Sequence, residues 1–154
     1  MPGASVITDD IIAAIISILL VVVTTIIYYD VLRITWELLP KFKMSPRKRI
    51  IIVILAIFVG HTLAVWIYGV TYWVVAKYPF LGSLQGAYNT EFLDYVYFSV
   101  VTYSSLGFGD LLPLGAIRMI SGVEALNGLV LIGWSISFTY LVMHDFWHLH
   151  KPKK

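Results

Sequence analysis

The sequence predicts an all-α membrane protein: three transmembrane helices and one short helix that enters the membrane without crossing it. Three observations carry this reading. Hydrophobic residues make up 59% of the 154 positions and charged residues 13%, about half the charged fraction of an ordinary soluble domain. Three apolar stretches, Ile11–Tyr29, Ile50–Ala76 and Ala116–Met143, approach or exceed the ~20 residues that cross a bilayer. Between the second and third lies Thr102-Tyr103-Ser104-Ser105-Leu106-Gly107-Phe108-Gly109-Asp110, polar and glycine-bearing amid apolar surroundings. Backbone at membrane depth must be hydrogen-bonded unless it lines water or binds something.

Composition removes several classes. A net charge of +2 gives no footing for nucleic-acid binding, and the absence of cysteine excludes disulfides and thiolate metal sites. Met1–Asp10 carries two acids and no base, so a signal peptide, with its basic leading region, is not expected. The polar motif occurs once and no internal repeat accompanies it.

In chain order, residues 1–40 read as an N-terminal transmembrane helix. It lacks the every-third-residue Arg/Lys pattern of a voltage sensor. Asp30, Arg33 and Glu37 are spaced to pair along one face beyond the apolar run. Pro40 ends the helix by removing a donor and clashing with the preceding turn. Lys41, Lys43, Arg47, Lys48 and Arg49 crowd residues 41–49. A basic short loop belongs in the cytoplasm; the basic tail Lys151–Lys154 does too, and three crossings then put Met1 outside. Residues 50–77 are the outward-running second helix, with Trp66, Tyr68, Tyr72, Trp73 and Tyr78 as an interfacial belt. Its mid-span His61 reads first as hydrogen-bonded packing and second as a proton sensor.

Tyr78–Asn89, with Pro79, Gly82, Ser83 and Gly86, reads as an external loop. Thr90 is placed to cap a helix over residues 91–104, with Glu91 and Asp94 in its first turn. Such a helix is about 21 Å long, too short to cross. Residues 115–143 form the third span and 144–154 a short tail. Gly122, Gly128 and Gly133 allow close packing or a bend there.

A short helix entering from outside, acidic at its start, points the negative end of its dipole at the membrane centre. Glycines at alternate positions after it permit a return leg whose carbonyls face one way, and rings of carbonyls replace the hydration shell of a cation. One chain supplies one strand, so a ring requires several copies about an axis.

Tyr97-Phe98-Ser99-Val100-Val101-Thr102-Tyr103-Ser104-Ser105-Leu106-Gly107-Phe108-Gly109-Asp110-Leu111-Leu112-Pro113 resembles the pore motif of the tetrameric potassium channels. The likeness extends through Arg118, Glu124 and Gly128, to small prokaryotic two-helix pore channels, and spans roughly Ile50–Tyr140; residues 1–40 lie outside it. The resemblance implies a homotetramer around a central pore. The Ser105, Leu106, Gly107 and Phe108 carbonyls would coordinate dehydrated potassium, with the Ser105 hydroxyl completing the innermost site (filter, residues 105–110). Tyr97, Thr102, Ser104, Gly109 and Asp110 would support the filter, Asp110 at the outer mouth and hydrogen-bonded to Tyr97. Gly128 would be the inner-helix hinge, with Leu129, Ile132 and Ile136 at the cavity and lower constriction. Ser105 stands where the family usually has threonine, Phe108 replaces the commoner tyrosine, Tyr97 stands where many relatives have tryptophan, and Val101 occupies a position that is glutamate in some.

Other candidates are modulatory. Glu124 lies roughly 9 Å of helix below Arg118, either hydrogen-bonded behind the pore helix or facing ions. His144 and His148, four apart, suit an interfacial helix end, then a pH-sensitive element, then a metal site. No catalysis and no cofactor beyond permeant potassium are expected; the partners are potassium, membrane lipid and further copies of the chain, in a cell membrane. A weakly selective sodium/potassium channel is the first alternative, motivated by Ser105. A histidine-based metal-binding membrane protein or membrane enzyme is the remote one.

Overall fold

The computed structural model describes residues 2–86 and 91–148. Helix α1 (Pro2–Leu38) passes through a 3-10 turn at Leu39–Lys41, which contains Pro40, into a short loop. Helix α2 (Pro46–Val75) follows, then strand β1 (Ser83–Gly86), helix α3 (Phe92–Tyr103), strand β2 (Leu111–Leu114) and helix α4 (Ile117–His148). Three segments are long and apolar enough to cross a membrane: Ile7–Lys41, Arg47–Val75 and Ile117–Asp145. With 12 residues, α3 is about 18 Å long and is not one of them.

Three expectations need correction. The mostly helical fold carries one short strand pair, half of it in the stretch read as loop: β1 pairs antiparallel with β2 in the register Ser83↔Leu114 to Gly86↔Leu111, which satisfies backbone groups on both sides of α3. Helix α4 runs on to His148, because Met143–His148 contains no glycine or proline to stop it. The aromatic belt is smaller than its composition suggests. Trp66, Trp73 and Tyr78 are exposed, but Tyr68 and Tyr72 are fully buried. Buried phenols need hydrogen-bond partners, and α4 supplies both: Asn127 Nδ2 lies 3.3 Å from the Tyr68 hydroxyl, and the Tyr72 hydroxyl donates to Glu124 Oε2 at 2.5 Å.

Helix α1 packs on α2 and α4 of its own chain. Its buried stripe is Ala13, Ser17, Leu20, Thr24, Tyr28, Leu32, Thr35 and Leu39, spaced by three or four residues as one helix face requires. Ile11, Ile15, Ile18, Leu19, Val22 and Ile26 point away from it. Small and hydroxyl side chains on the packed face and branched aliphatics on the other is the pattern of helices associating in lipid, where packing and hydrogen bonds replace the hydrophobic drive. The Ser17 and Thr24 hydroxyls return to the Ala13 and Leu20 carbonyls at 2.7 Å, and Asn127 Nδ2 donates to Thr24 Oγ1 at 2.8 Å. Arg33 and Glu37 pair at 2.9 Å on the exposed side, an ordinary surface pair.

Two cores result. The first gathers Ala13, Leu20, Tyr72, Phe98, Ile117 and Ile120. The second gathers Tyr28, Val53, Ala64, Val96, Tyr103 and Leu131. Helix α3 contributes to both, so its position depends on all three long helices. It lies close against α2 at Gly69, where an added Cβ would lie 2.9 Å from Val96 Cα. Gly69→Ala should therefore lower the thermal unfolding midpoint in detergent, by the equivalent of ~1–3 kcal/mol for overpacking. Val96→Ala removes the Cγ2 at 3.0 Å but leaves the Cα at 2.9 Å and the N at 3.3 Å, so it should restore stability in part at most; full rescue would show that the side chain alone makes the clash.

Candidate functional site

The site is built on α3 and the chain that leaves it. Glu91 caps the helix and Asp94 completes a reciprocal capping box, with the Glu91 backbone N–H donating to Asp94 Oδ2 at 2.7 Å. The cap expected at Thr90 lies outside the described residues. Two carboxylates at this end complement the positive pole of the helix. Tyr95, Val96, Phe98, Ser99, Val101 and Tyr103 are buried along α3.

At its other end the helix closes in a specific way. The N–H of Ser105 donates to the Thr102 carbonyl at 2.9 Å and that of Leu106 to the Val101 carbonyl at 3.0 Å. Ser105 itself has φ +59°. This bonding pair with a left-handed residue just past the cap is a Schellman motif. It consumes two orphan carbonyls of the last turn and reverses the chain. Beyond Ser105, Gly107 has φ +59° and Gly109 φ +82°, and Ser105 is the one described residue other than glycine with positive φ. Positive φ thus recurs at every second residue over 105–109. Asp110 accepts from the Leu111 N–H at 3.1 Å and Leu111 enters the ladder opposite Gly86. Tyr97 hydrogen-bonds Asp110, and that bond holds its phenol above the ordinary range.

Along its length the segment is bare. Nothing lies within 4 Å of a Cβ placed on Gly107 or Gly109, and Leu106 and Phe108 are 60% and 67% exposed. It borders a cavity of about 400 Å³, shared with Tyr97, Thr102, Asp110, Arg118 and Ser121. Thr102 faces this cavity, whereas the Ser104 hydroxyl turns back to the Val100 carbonyl at 2.7 Å.

Behind α3, Glu124 has 0% exposure. Its Oε2 accepts from Tyr72 and its Oε1 bonds Ser99 Oγ, which also lies 2.9 Å from the Val65 carbonyl. Ser99 has one proton and two neighbouring acceptors. The Ser99 and Tyr72 hydroxyls together join α3 and α2 to this carboxyl on α4. Glu124 therefore sits behind the short helix, not toward the bare segment. Of the two roles open to Gly128, close packing is the one on view: a Cβ there would lie 2.1 Å from the Tyr103 carbonyl oxygen, so only glycine lets α4 pass the end of α3, and α4 is continuous helix through it.

The remaining candidates scatter. Leu129 and Ile136 are exposed on α4, while Ile132 is partly buried against the second core. His144 Nδ1 lies 3.8 Å from Asp145 Oδ1, and the His148 side chain lies outside the described residues. Among the described residues no cluster of three or more His, Asp or Glu forms a metal site. Sequence reading missed Tyr72 and Ser99 as partners of Glu124. The signal was present for Tyr72: it and Tyr68 are four apart, on a helix face opposite Trp66 and Trp73.

Three helices long and apolar enough to cross a membrane, packed around a short helix and a glycine-bearing return, are the arrangement of a multi-pass membrane protein. A family model described as ion channel matches residues 52–144, more than half of the chain, and the chain belongs to that family of ion channels. No curated protein and no solved structure matches it. Helix α1 lies outside the matched span.

The buried carboxyl gives a direct check. Glu124→Gln should assemble and unfold as the unchanged protein does, because the amide keeps the size of the carboxyl and can still accept from Tyr72 and hydrogen-bond Ser99. Glu124→Ala should lose ~2–4 kcal/mol through unpaired hydroxyls and a cavity, read as a lower thermal midpoint in detergent. Equal midpoints for the two variants would remove this group from the structural account.

Proposed function

We propose that four copies of this chain form a potassium-selective channel, with the segment 105–110 as its filter. The observation that carries this reading is the recurrence of positive φ at Ser105, Gly107 and Gly109. Alternating left- and right-handed residues turn successive peptide planes so that their carbonyls share one side. Carbonyls of Ser105, Leu106, Gly107 and Phe108 brought together from four chains supply the oxygen rings that replace a cation's water. The exposure of Leu106 and Phe108 supports oligomerisation, since large apolar side chains at a membrane loop call for cover. The empty space beside the filter is where neighbouring chains fit.

In this reading α3 is re-entrant: it enters from the outer face, and the end of its dipole at Tyr103 favours a cation at mid-membrane. Tyr97 and Asp110 brace the outer mouth, and Thr102 and Ser104 line the approach to the innermost site. Leu129 and Ile136 face the inner cavity, with Ile132 flanking them. The basic loop 41–49 lies in the cytoplasm and α1 begins outside, in a cell membrane whose lipids meet the branched face of α1. A weakly selective cation channel is the second reading, favoured by the loss of the usual threonine methyl at Ser105.

The purified protein in planar bilayers under opposed potassium and sodium gradients tests this. The reversal potential should lie near the potassium equilibrium value. A value near zero would leave only the weakly selective reading. Gly107→Ala should abolish the current while the protein still assembles, since each of four chains would hold alanine in a left-handed conformation at ~1–2 kcal/mol.

A further inference from the structure

The turn between α1 and α2 sets a dense run of positive charge against an apolar cavity. Lys41, Lys43, Arg47, Lys48 and Arg49 fall within nine positions, and no Asp or Glu occurs between Glu37 and Glu91. Glu37 is itself paired with Arg33. Lys41, Lys43, Arg47 and Lys48 are exposed, and among the described residues none of these four is in a salt bridge. One crossing-length segment ends at Lys41 and the next begins at Arg47. The cations therefore stand at headgroup depth, with hydrocarbon beside the helices that flank them.

Backbone geometry sorts the side chains of the turn. Phe42 is extended, with φ −102° and ψ 125°, and along extended chain successive side chains alternate in direction. Phe42 and Met44 line a cavity of about 240 Å³, together with Thr35, Leu38, Leu39 and Ile52; Lys41 and Lys43 hold the alternate positions. Arg49 Nη2 donates to the Phe42 carbonyl at 3.2 Å, which ties the turn to the start of α2. Thr35 is the one polar residue of the lining, and its hydroxyl donates to the Val31 carbonyl at 2.6 Å, so the cavity holds no spare donor for a polar ligand. Its walls are open to the outside: Leu38, Phe42 and Ile52 are 43%, 53% and 38% exposed. About 240 Å³ is below the ~300 Å³ at which ordinary small-molecule pockets begin, so the cavity suits a stretch of hydrocarbon chain and not a whole compact ligand.

A cationic rim over an apolar slot at the membrane boundary is complementary in charge and polarity to a lipid with a negative headgroup. We infer that this turn binds an anionic glycerophospholipid, its phosphate among Lys41, Lys43, Arg47 and Lys48 and one acyl chain along Leu38, Phe42, Met44 and Ile52. The lipid bridges the end of α1, which lies outside the matched span of the ion-channel family, to α2, where that span begins at Ile52. The site is independent of which ion the pore passes.

The full-length protein, purified in detergent, is titrated with dioleoyl phosphatidylglycerol or with dioleoyl phosphatidylcholine, which has the same chains and no net charge, and bound lipid is read by native mass spectrometry. Phosphatidylglycerol should occupy the protein at concentrations about tenfold or more below phosphatidylcholine. Lys41→Gln combined with Lys43→Gln should weaken phosphatidylglycerol about 25-fold, each basic residue near the surface counting for about fivefold, and leave phosphatidylcholine unchanged. Arg47, Lys48 and Arg49 remain in that variant and keep the basic excess that orients the loop. Met44→Trp, which fills the slot without altering charge, should weaken phosphatidylglycerol about tenfold, the equivalent of about two buried methylenes. Inorganic phosphate should not displace the lipid. Equal affinity for the two lipids, or unchanged affinity in the double lysine variant, overturns the proposal. Unchanged affinity in Met44→Trp leaves a charged surface with no seat for a chain and overturns it too, as does displacement by inorganic phosphate, which makes the turn a soluble-anion site. If Met44→Trp fails to assemble by size-exclusion chromatography, Phe42→Gln, a change on the exposed turn that makes the same wall polar, replaces it: weaker phosphatidylglycerol binding supports the seated chain and unchanged binding overturns it.

Discussion

The segment from Ser105 to Asp110 is held at its two ends and not along its length. At the inner end, the carbonyls of Val101 and Thr102 take the N–H groups of Leu106 and Ser105. At the outer end, Leu111 is locked into the ladder opposite Gly86. Between them, no side chain of the same chain reaches Gly107 or Gly109. The shape of the segment therefore follows from where α3 puts its last turn and where the strand pair puts Leu111. The rest of the structure fixes those two points. Glu124 ties α3 to α2 and α4 through Ser99 and Tyr72, Gly69 lets α2 lie against Val96, and Gly128 lets α4 pass under the Tyr103 carbonyl.

Polar contacts do in this protein what apolar burial does in a soluble one. Apolar surface gains little by moving from lipid to protein, so helix positions are set by close contact and hydrogen bonds. The contacts of α1 follow that logic. It meets the channel-family part of the chain through Thr24 on Asn127 and through Tyr28 on Ser135, one helical turn apart. These attachments make it a component of the same packed unit, with a face on both cores.

Much of this was legible in the sequence, and the reasons differ by element. The three long helices follow from length and apolarity alone. The short helix and the turn after it follow from the acids at Glu91 and Asp94 and from the glycine spacing. What sequence left open was direction around each helix axis. An all-apolar helix has no amphipathic signal to show which face is packed, so Glu124 had two orientations and α1 had none. The small and hydroxyl stripe of Ala13, Ser17 and Thr24 was the available marker, and it needs the membrane rule, not the soluble one, to be read. Tyr68 and Tyr72 were read as interfacial because their partners, Asn127 and Glu124, lie more than fifty residues away. The strand pair was hidden for a related reason: Ser83–Gly86 is too short and too polar to announce a strand, and its pairing is created by the closeness of the two ends of α3.

Ser105 shows how the local geometry alters a judgement made from sequence. Set beside a threonine, serine at this position loses a methyl group, and the loss reads as weaker packing. The Schellman turn adds a second requirement, because the residue after the cap must take φ near +59°. A left-handed conformation costs ~1–2 kcal/mol for residues other than glycine and is still less favourable for β-branched ones. Glycine would remove the strain but also the hydroxyl that the proposed innermost site uses. Serine is the side chain that keeps an oxygen there without a branch at Cβ. Its place in the sequence is thus explained by the turn that ends α3, and the rigidity the missing methyl would have supplied falls instead to the hydrogen bonds on either side of it.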